Sequence, residues 1–151
     1  MVISAPGVAA AEGLRLDTGA VQGESMIKTI LIADDSPVAR KILRSCIPKD
    51  QGFEFHEVGD GLAAVEKYQE IHPDLTFMDL TMPVMDGIQA LARIKQLDRD
   101  AIVIVATADI QRKTMEKVTE LGAFMLLKKP PSKESVSAGI REANKHLESR
   151  R

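Results

Sequence analysis

Groups suited to phosphoryl chemistry stand at the ends of four apolar, strand-like runs in this chain. Asp34 and Asp35 close the run 27–33, Asp79 closes 73–78, Thr107 follows 101–106, and Lys128 and Lys129 follow 123–127. A carboxylate left alone at the end of a buried strand costs roughly several kcal/mol unless something pairs with it. Three carboxylates brought together also repel one another unless a cation stands among them. A hard divalent ion with oxygen ligands, most simply Mg2+, resolves that repulsion, and it draws in a phosphoryl group and neutralises its oxygens. A lysine adds a point charge for phosphate, and a threonine hydroxyl can donate to a phosphoryl oxygen. A carboxylate held beside the metal can itself be a nucleophile, giving an acyl phosphate on aspartate. Positioning and charge neutralisation supply most of the catalysis in such transfers.

These side chains converge only if the four runs end on one rim. Runs at 27–33, 53–58, 73–78, 101–106 and 123–127 read as strands, and 101–106 is continuous enough to be buried on both faces. Between and after them, 38–47, 61–71, 88–97, 110–121 and 132–147 carry apolar residues at helical spacing. Ser36 and Pro37 look like an N-cap and a first-turn proline. Pro48 stops the first helix, and Gly122 closes the fourth. Five strands alternating with five helices predict an α/β domain with a parallel sheet. Right-handed crossovers put helices on both faces, and ligands then bind beyond the carboxyl ends of the strands.

The remaining sequence bounds the function. The chain has 151 residues, 44% of them hydrophobic, which suits one globular domain. A net charge of −2 does not suggest an electrostatic nucleic-acid binder. No apolar run approaches the ~18 residues that a membrane span needs. Cys46 is the only cysteine, so an internal disulfide is excluded and a cytoplasmic, reducing compartment is compatible. Residues 1–25 lack a positive n-region and a sustained apolar stretch, so the expectation is a poorly ordered extension before a folded unit at 26–151. His56, His72 and His146 carry no ligand spacing. Asp86 reads as a turn or capping residue, Lys128 as a solvated charge, and Met78, Met82, Met85 and Met125 as packing.

The motifs A-D-D-S (33–36), M-D-L-T-M-P-V-M-D-G (78–87), A-T-A (106–108), L-G-A (121–123) and K-P (129–130) occur together and in order. From residue 26 to about 150 the chain thereby resembles the receiver domain of bacterial two-component response regulators, most closely the single-domain chemotaxis type. The resemblance implies a flavodoxin-like (βα)5 fold, a doubly wound parallel five-stranded sheet of order 2-1-3-4-5. It implies Asp79 as phosphoacceptor, Asp35 as a direct Mg2+ ligand, Asp34 acting largely through water, and the Thr81 backbone carbonyl as a further ligand. Lys129, just before Pro130, would contact the phosphoryl group, and Thr107 would sense it. Thr81 and Asp109 would flank the line of water attack, with Asp109 a candidate to orient a water.

Two positions depart from the family pattern. Leu126 stands where an aromatic often lies on the fifth strand, with Phe124 two residues earlier at the same parity. Pro131 replaces the aromatic that usually follows Lys-Pro. The implied function is a stand-alone receiver that takes a phosphoryl group from a histidine kinase or histidine phosphotransfer protein. It would catalyse only its own phosphorylation and dephosphorylation. Output would be by protein binding, as a monomer or a phosphorylation-dependent dimer, through the fourth helix, fifth strand and fifth helix with Arg112, Lys113, Lys117, Phe124 and Leu126. A phosphorelay intermediate or phosphate sink would use the same site. A Mg2+-dependent small-molecule phosphatase needs a general acid and a substrate pocket, and the D-x-D nucleophile motif typical of that class does not close any of the strand-like runs. A nucleotide or flavin carrier needs a phosphate loop, and no Gly-rich loop follows the first strand.

Overall fold

The computed structural model describes residues 26–150; the segment 1–25, read above as an extension, lies outside the described residues. The elements run β1 (Thr29–Ala33), α1 (Pro37–Cys46), a 3-10 turn (Lys49–Gln51), β2 (Glu54–Val58), α2 (Gly61–Ile71), β3 (Leu75–Met78), α3 (Gly87–Leu97), β4 (Val103–Thr107), α4 (Arg112–Glu120), β5 (Met125–Lys128) and α5 (Lys133–Ser149). The five strands form one parallel sheet in the order β2-β1-β3-β4-β5, the doubly wound order that the family resemblance implies. Residues of β3 and β4 are buried throughout, as strands covered on both faces must be. β2, at the edge, is half exposed.

One face of the sheet carries α1 and α5. Leu43 and Cys46, with Val136, Ile140 and Ala143, pack there on Ile30, Ile32, Phe77 and Ile104. The other face carries α2, α3 and α4, through Ala64, Val65, Tyr68, Ala90, Leu91, Ile94 and Val118 on Ala33, Met78, Val103 and Val105. Val118 is the one buried residue of α4, so that helix is the most lightly anchored of the five.

Helix ends follow local chemistry. Ser36 caps α1 by accepting from the Ala39 amide, with Pro37 in the first turn. Asp60 caps α2, and Asp86 with Gln89 forms a capping box on α3. α4 ends in a Schellman arrangement: Ala123 N donates to Val118 O, Gly122 N donates to Thr119 O, and Gly122 has φ +98°. Its start falls later than position 110, because Gln111 is extended and Asp109 occupies the preceding turn.

Two sequence expectations shift. By sequence spacing Leu62, Val65 and Tyr68 share one side of the second helix, but Leu62 is 41% exposed and the buried stripe of α2 runs through Ala64, Val65 and Tyr68. Phe124 does not share a face with Leu126. Leu126 packs towards the α2–α4 side, whereas Phe124 packs with the α1–α5 cluster and lies 5.4 Å from the His146 ring, centre to centre. Parity fails because β5 begins at Met125, which leaves Phe124 outside the regular alternation. Among the described residues no helix is long and apolar enough to cross a membrane.

Candidate functional site at the carboxyl edge of the sheet

Register brings the acids together. Ala33 of β1 pairs with Met78 of β3, so the next residues, Asp34 and Asp79, leave adjacent strands side by side. The Asp79 amide donates to Ala33 O at 2.9 Å, which fixes that exit. Asp34 and Asp79 are buried, at 6% and 7% exposure, while Asp35 is exposed. One carboxylate oxygen from each of Asp34, Asp35 and Asp79 lies within 4.8 Å of the others. Three hard oxygen donors at that spacing fit a Mg2+-type ion.

Lys129 enters from the end of β5, its amide bonded to Thr107 O at 2.9 Å. Its Nζ lies 2.6 Å from Asp34 Oδ2 and 3.2 Å from Asp79 Oδ1. Asp34 Oδ1 accepts from the Ser36 amide at 2.9 Å, so both oxygens of Asp34 already have protein donors. Burial pushes the Asp79 carboxyl above its ordinary range; Lys129 opposes that and the Asp34 charge adds to it. Burial alone pulls the Lys129 ammonium down, but the two carboxylates outweigh it and hold its pKa above the usual value. Lys128 is exposed and takes no part in this pairing.

The loop after Asp79 is tightly held. Gly87 N donates to Leu80 O at 2.9 Å, and a Cβ on Gly87 would collide with the Asp79 carbonyl. A Cβ on Gly61 would likewise strike Met85 O, which accepts from the Gly61 amide. Between them Met85 N donates to Pro83 O at 2.7 Å across Val84, whose φ is +68°. That is a γ-turn with a β-branched residue in the left-handed region. Thr81 is exposed, two residues beyond Asp79.

Thr107 is buried at the end of β4, and its Oγ1 accepts from the Asp109 amide at 3.1 Å. Asp109, read above as a candidate to orient a water, spends Oδ1 on Gln111 N and Oδ2 on the Thr114 hydroxyl. It holds the start of α4. The Lys129–Pro130 bond is cis. Beside the acids, between α1 and the sheet, lies an apolar cleft of about 270 Å³ lined by Ile32, Leu43, Phe77, Ala106 and Pro131 among others. Arg40 was not singled out from the sequence, yet its guanidinium reaches the Asp34 carbonyl. Six positions after Asp34 on a helix, it carries no motif, and only the α1–β2 pairing reveals it.

Comparison with known proteins agrees with this fold. Residues 30–141 match the family model described as "Response regulator receiver domain". Over 116 residues the chain is 40% identical to the chemotaxis protein CheY of Halobacterium salinarum, which covers 76% of this chain and 95% of that protein. It is 42% identical over 106 residues to the chemotaxis protein CheY of Bacillus subtilis, covering 70% of this chain and 88% of that protein. A solved structure described as the CheX-CheY-BeF3-Mg+2 complex from Borrelia burgdorferi superposes with a TM-score of 0.71 at 30% identity, over 76% of this chain and 87% of that one.

Proposed function

The chain belongs to the response regulator receiver family, and from that premise we propose that it is a stand-alone phosphorylation-dependent signalling switch with Asp79 as its phosphoacceptor. The observation that carries this reading is the trio Asp34, Asp35 and Asp79 within 4.8 Å, with Lys129 laid across two of them. Asp79 attacks the phosphorus of a phosphohistidine in line; the new P–O bond forms as the P–N bond breaks, and the imidazole leaves. Lys129 contacts the transferred oxygens and keeps its tie to Asp34. Asp34, Asp35, the Asp79 carboxylate and the Thr81 carbonyl are the groups that would hold Mg2+. When bound, Mg2+ would supply charge neutralisation for the transferred group. Thr107, tied to Lys129 through the backbone, senses the phosphoryl group with its hydroxyl, and the acyl phosphate shifts the domain between two states.

The donor is a histidine kinase or histidine phosphotransfer protein, in the cytoplasm. The chain catalyses only its own phosphorylation and dephosphorylation. Output is by protein binding at α4, β5 and α5. The light anchoring of α4 supports that assignment, because elements that move come from the weakly packed part of a fold. The 95% coverage of the Halobacterium CheY supports a receiver that acts without an attached effector.

Incubation with phosphoramidate and Mg2+, read as phosphate on the intact protein, tests the acceptor. Wild type is expected to label and Asp79→Asn to remain unlabelled; equal labelling of the two removes the assignment. A phosphate-sink role at the same site is favoured by one observation, Leu126 in place of the aromatic. Reverse transfer to a second histidine protein would indicate it.

A further inference from the structure

Asp35 is exposed, so its direction depends on the peptide that carries it. The carbonyl of that peptide, Asp34 O, accepts from Arg40 Nη1. Arg40 Nε donates at 2.8 Å to Oε1 of Glu57 on the edge strand β2. Glu57 Oε2 in turn accepts from Arg44 Nη1 at 2.9 Å, and the Arg44 guanidinium lies 4.4 Å above the Phe55 ring centre. Arg40 is the more enclosed of the two arginines, at 18% side-chain exposure against 46%.

A guanidinium is a planar fork whose donors point in fixed directions, so two acceptors held by one fork are fixed relative to each other. One acceptor here is the Asp34–Asp35 peptide. The other is a carboxylate anchored on a different element and clamped again by Arg44. The peptide is therefore braced against β2 from outside the acid cluster.

We propose that Arg40 is a positioning residue for the divalent-cation site: it pins the Asp34–Asp35 peptide to Glu57 and so fixes the direction of the Asp35 carboxylate. This rests on the reading that the three acids bind Mg2+. Arg44 supplies the contrast, since it shares Glu57 and the same helix but does not reach Asp34.

The test is calorimetric titration of Mg2+ into the whole chain, as wild type, Arg40→Ala, Arg40→Lys and Arg44→Ala. The same proteins are also phosphorylated by phosphoramidate across a range of Mg2+ concentrations. Loss of a group that orients a metal ligand typically weakens affinity about 10–100-fold. Both Arg40 variants are expected to weaken Mg2+ binding by about tenfold or more on that basis, and the Mg2+ concentration for half-maximal phosphorylation is expected to rise by the same factor. Arg44→Ala is expected to bind Mg2+ as wild type does. Arg40→Lys keeps the charge and most of the stem, which preserves folding, but one ammonium cannot reproduce the fork. Wild-type affinity in either Arg40 variant, or an Arg44→Ala defect as large as that of Arg40→Ala, overturns the inference. A wild-type protein that binds no Mg2+ overturns the reading of the site and the inference with it, so the two failures are told apart.

Discussion

Lys129 Nζ sits closer to Asp34 than to Asp79, 2.6 Å against 3.2 Å, and so spans the ends of two neighbouring strands. Asp34 also accepts from the Ser36 amide. The shared lysine therefore leaves Asp79 with the less complete compensation of the two buried acids. Burial raises the Asp79 pKa, and the Asp34 charge adds to that. An incompletely compensated carboxylate favours an incoming cation.

Asp79→Asn is expected to stabilise the metal-free protein at neutral pH. The folded-state pKa of Asp79 lies above its ordinary 3.8. Its favourable contribution is therefore full below that value and lost as pH rises through the folded pKa. Above that window the ionised group costs stability, and the amide removes the cost while Lys129 keeps Asp34. The midpoint of Asp79→Asn is expected to lie above that of the wild type at pH 7, and the difference is expected to shrink towards pH 4. Thermal melts of both proteins across that pH range check it.

Mg2+ is expected to raise the midpoint of the wild type, since a ligand at 100 times its dissociation constant adds about 2.7 kcal/mol. Asp35→Asn removes a charged donor that is exposed and outside the core, so its metal-free midpoint stays near wild type while most of the Mg2+ increment disappears. Melts with and without Mg2+ measure both.

Gly87→Ala is expected to destabilise by about 3 kcal/mol, because the added methyl meets the Asp79 carbonyl and neither backbone can yield freely. Urea unfolding gives the value. A neutral result would show that the loop after Asp79 is not braced as described.

Thr76→Val is expected to stabilise by about 1 kcal/mol. Thr76 is fully buried in β3, and its hydroxyl has no hydrogen-bond partner among the described residues. Valine fills the same space without an unpaired polar atom. The urea midpoint should rise at constant slope.

Val84→Asn is expected to gain about 0.5–1 kcal/mol, because asparagine tolerates the left-handed region that a β-branched residue resists. Val84 is 78% exposed, so little packing is lost with the side chain. Urea unfolding against wild type reads the difference.

The fold was legible because alternation of β-branched runs with helical stripes is a strong pattern, and because Ser36, Asp86 and Gly122 mark helix ends chemically. Asp34, Asp79 and Lys129 were legible from their place after apolar runs and from the motifs around them. What stayed hidden depends on geometry between distant elements. The Arg40 bond to a backbone carbonyl leaves no trace in residue types. The position of Phe124 depends on where β5 begins, and one residue of irregular backbone moved it to the opposite side. Asp109 accepts one hydrogen bond on each carboxylate oxygen, from Gln111 N and from the Thr114 hydroxyl, and its residue type does not announce that turn.

The pairing of Ala33 with Met78 has a consequence for folding itself. A shift of β3 by one position against β1 would turn Phe77 and Met78 to the wrong sides, and it would also separate Asp34 from Asp79. The same register that buries Phe77 and Met78 correctly therefore also assembles the acid cluster. A misaligned chain would pull these donors apart, so a cation bound there would favour the aligned form.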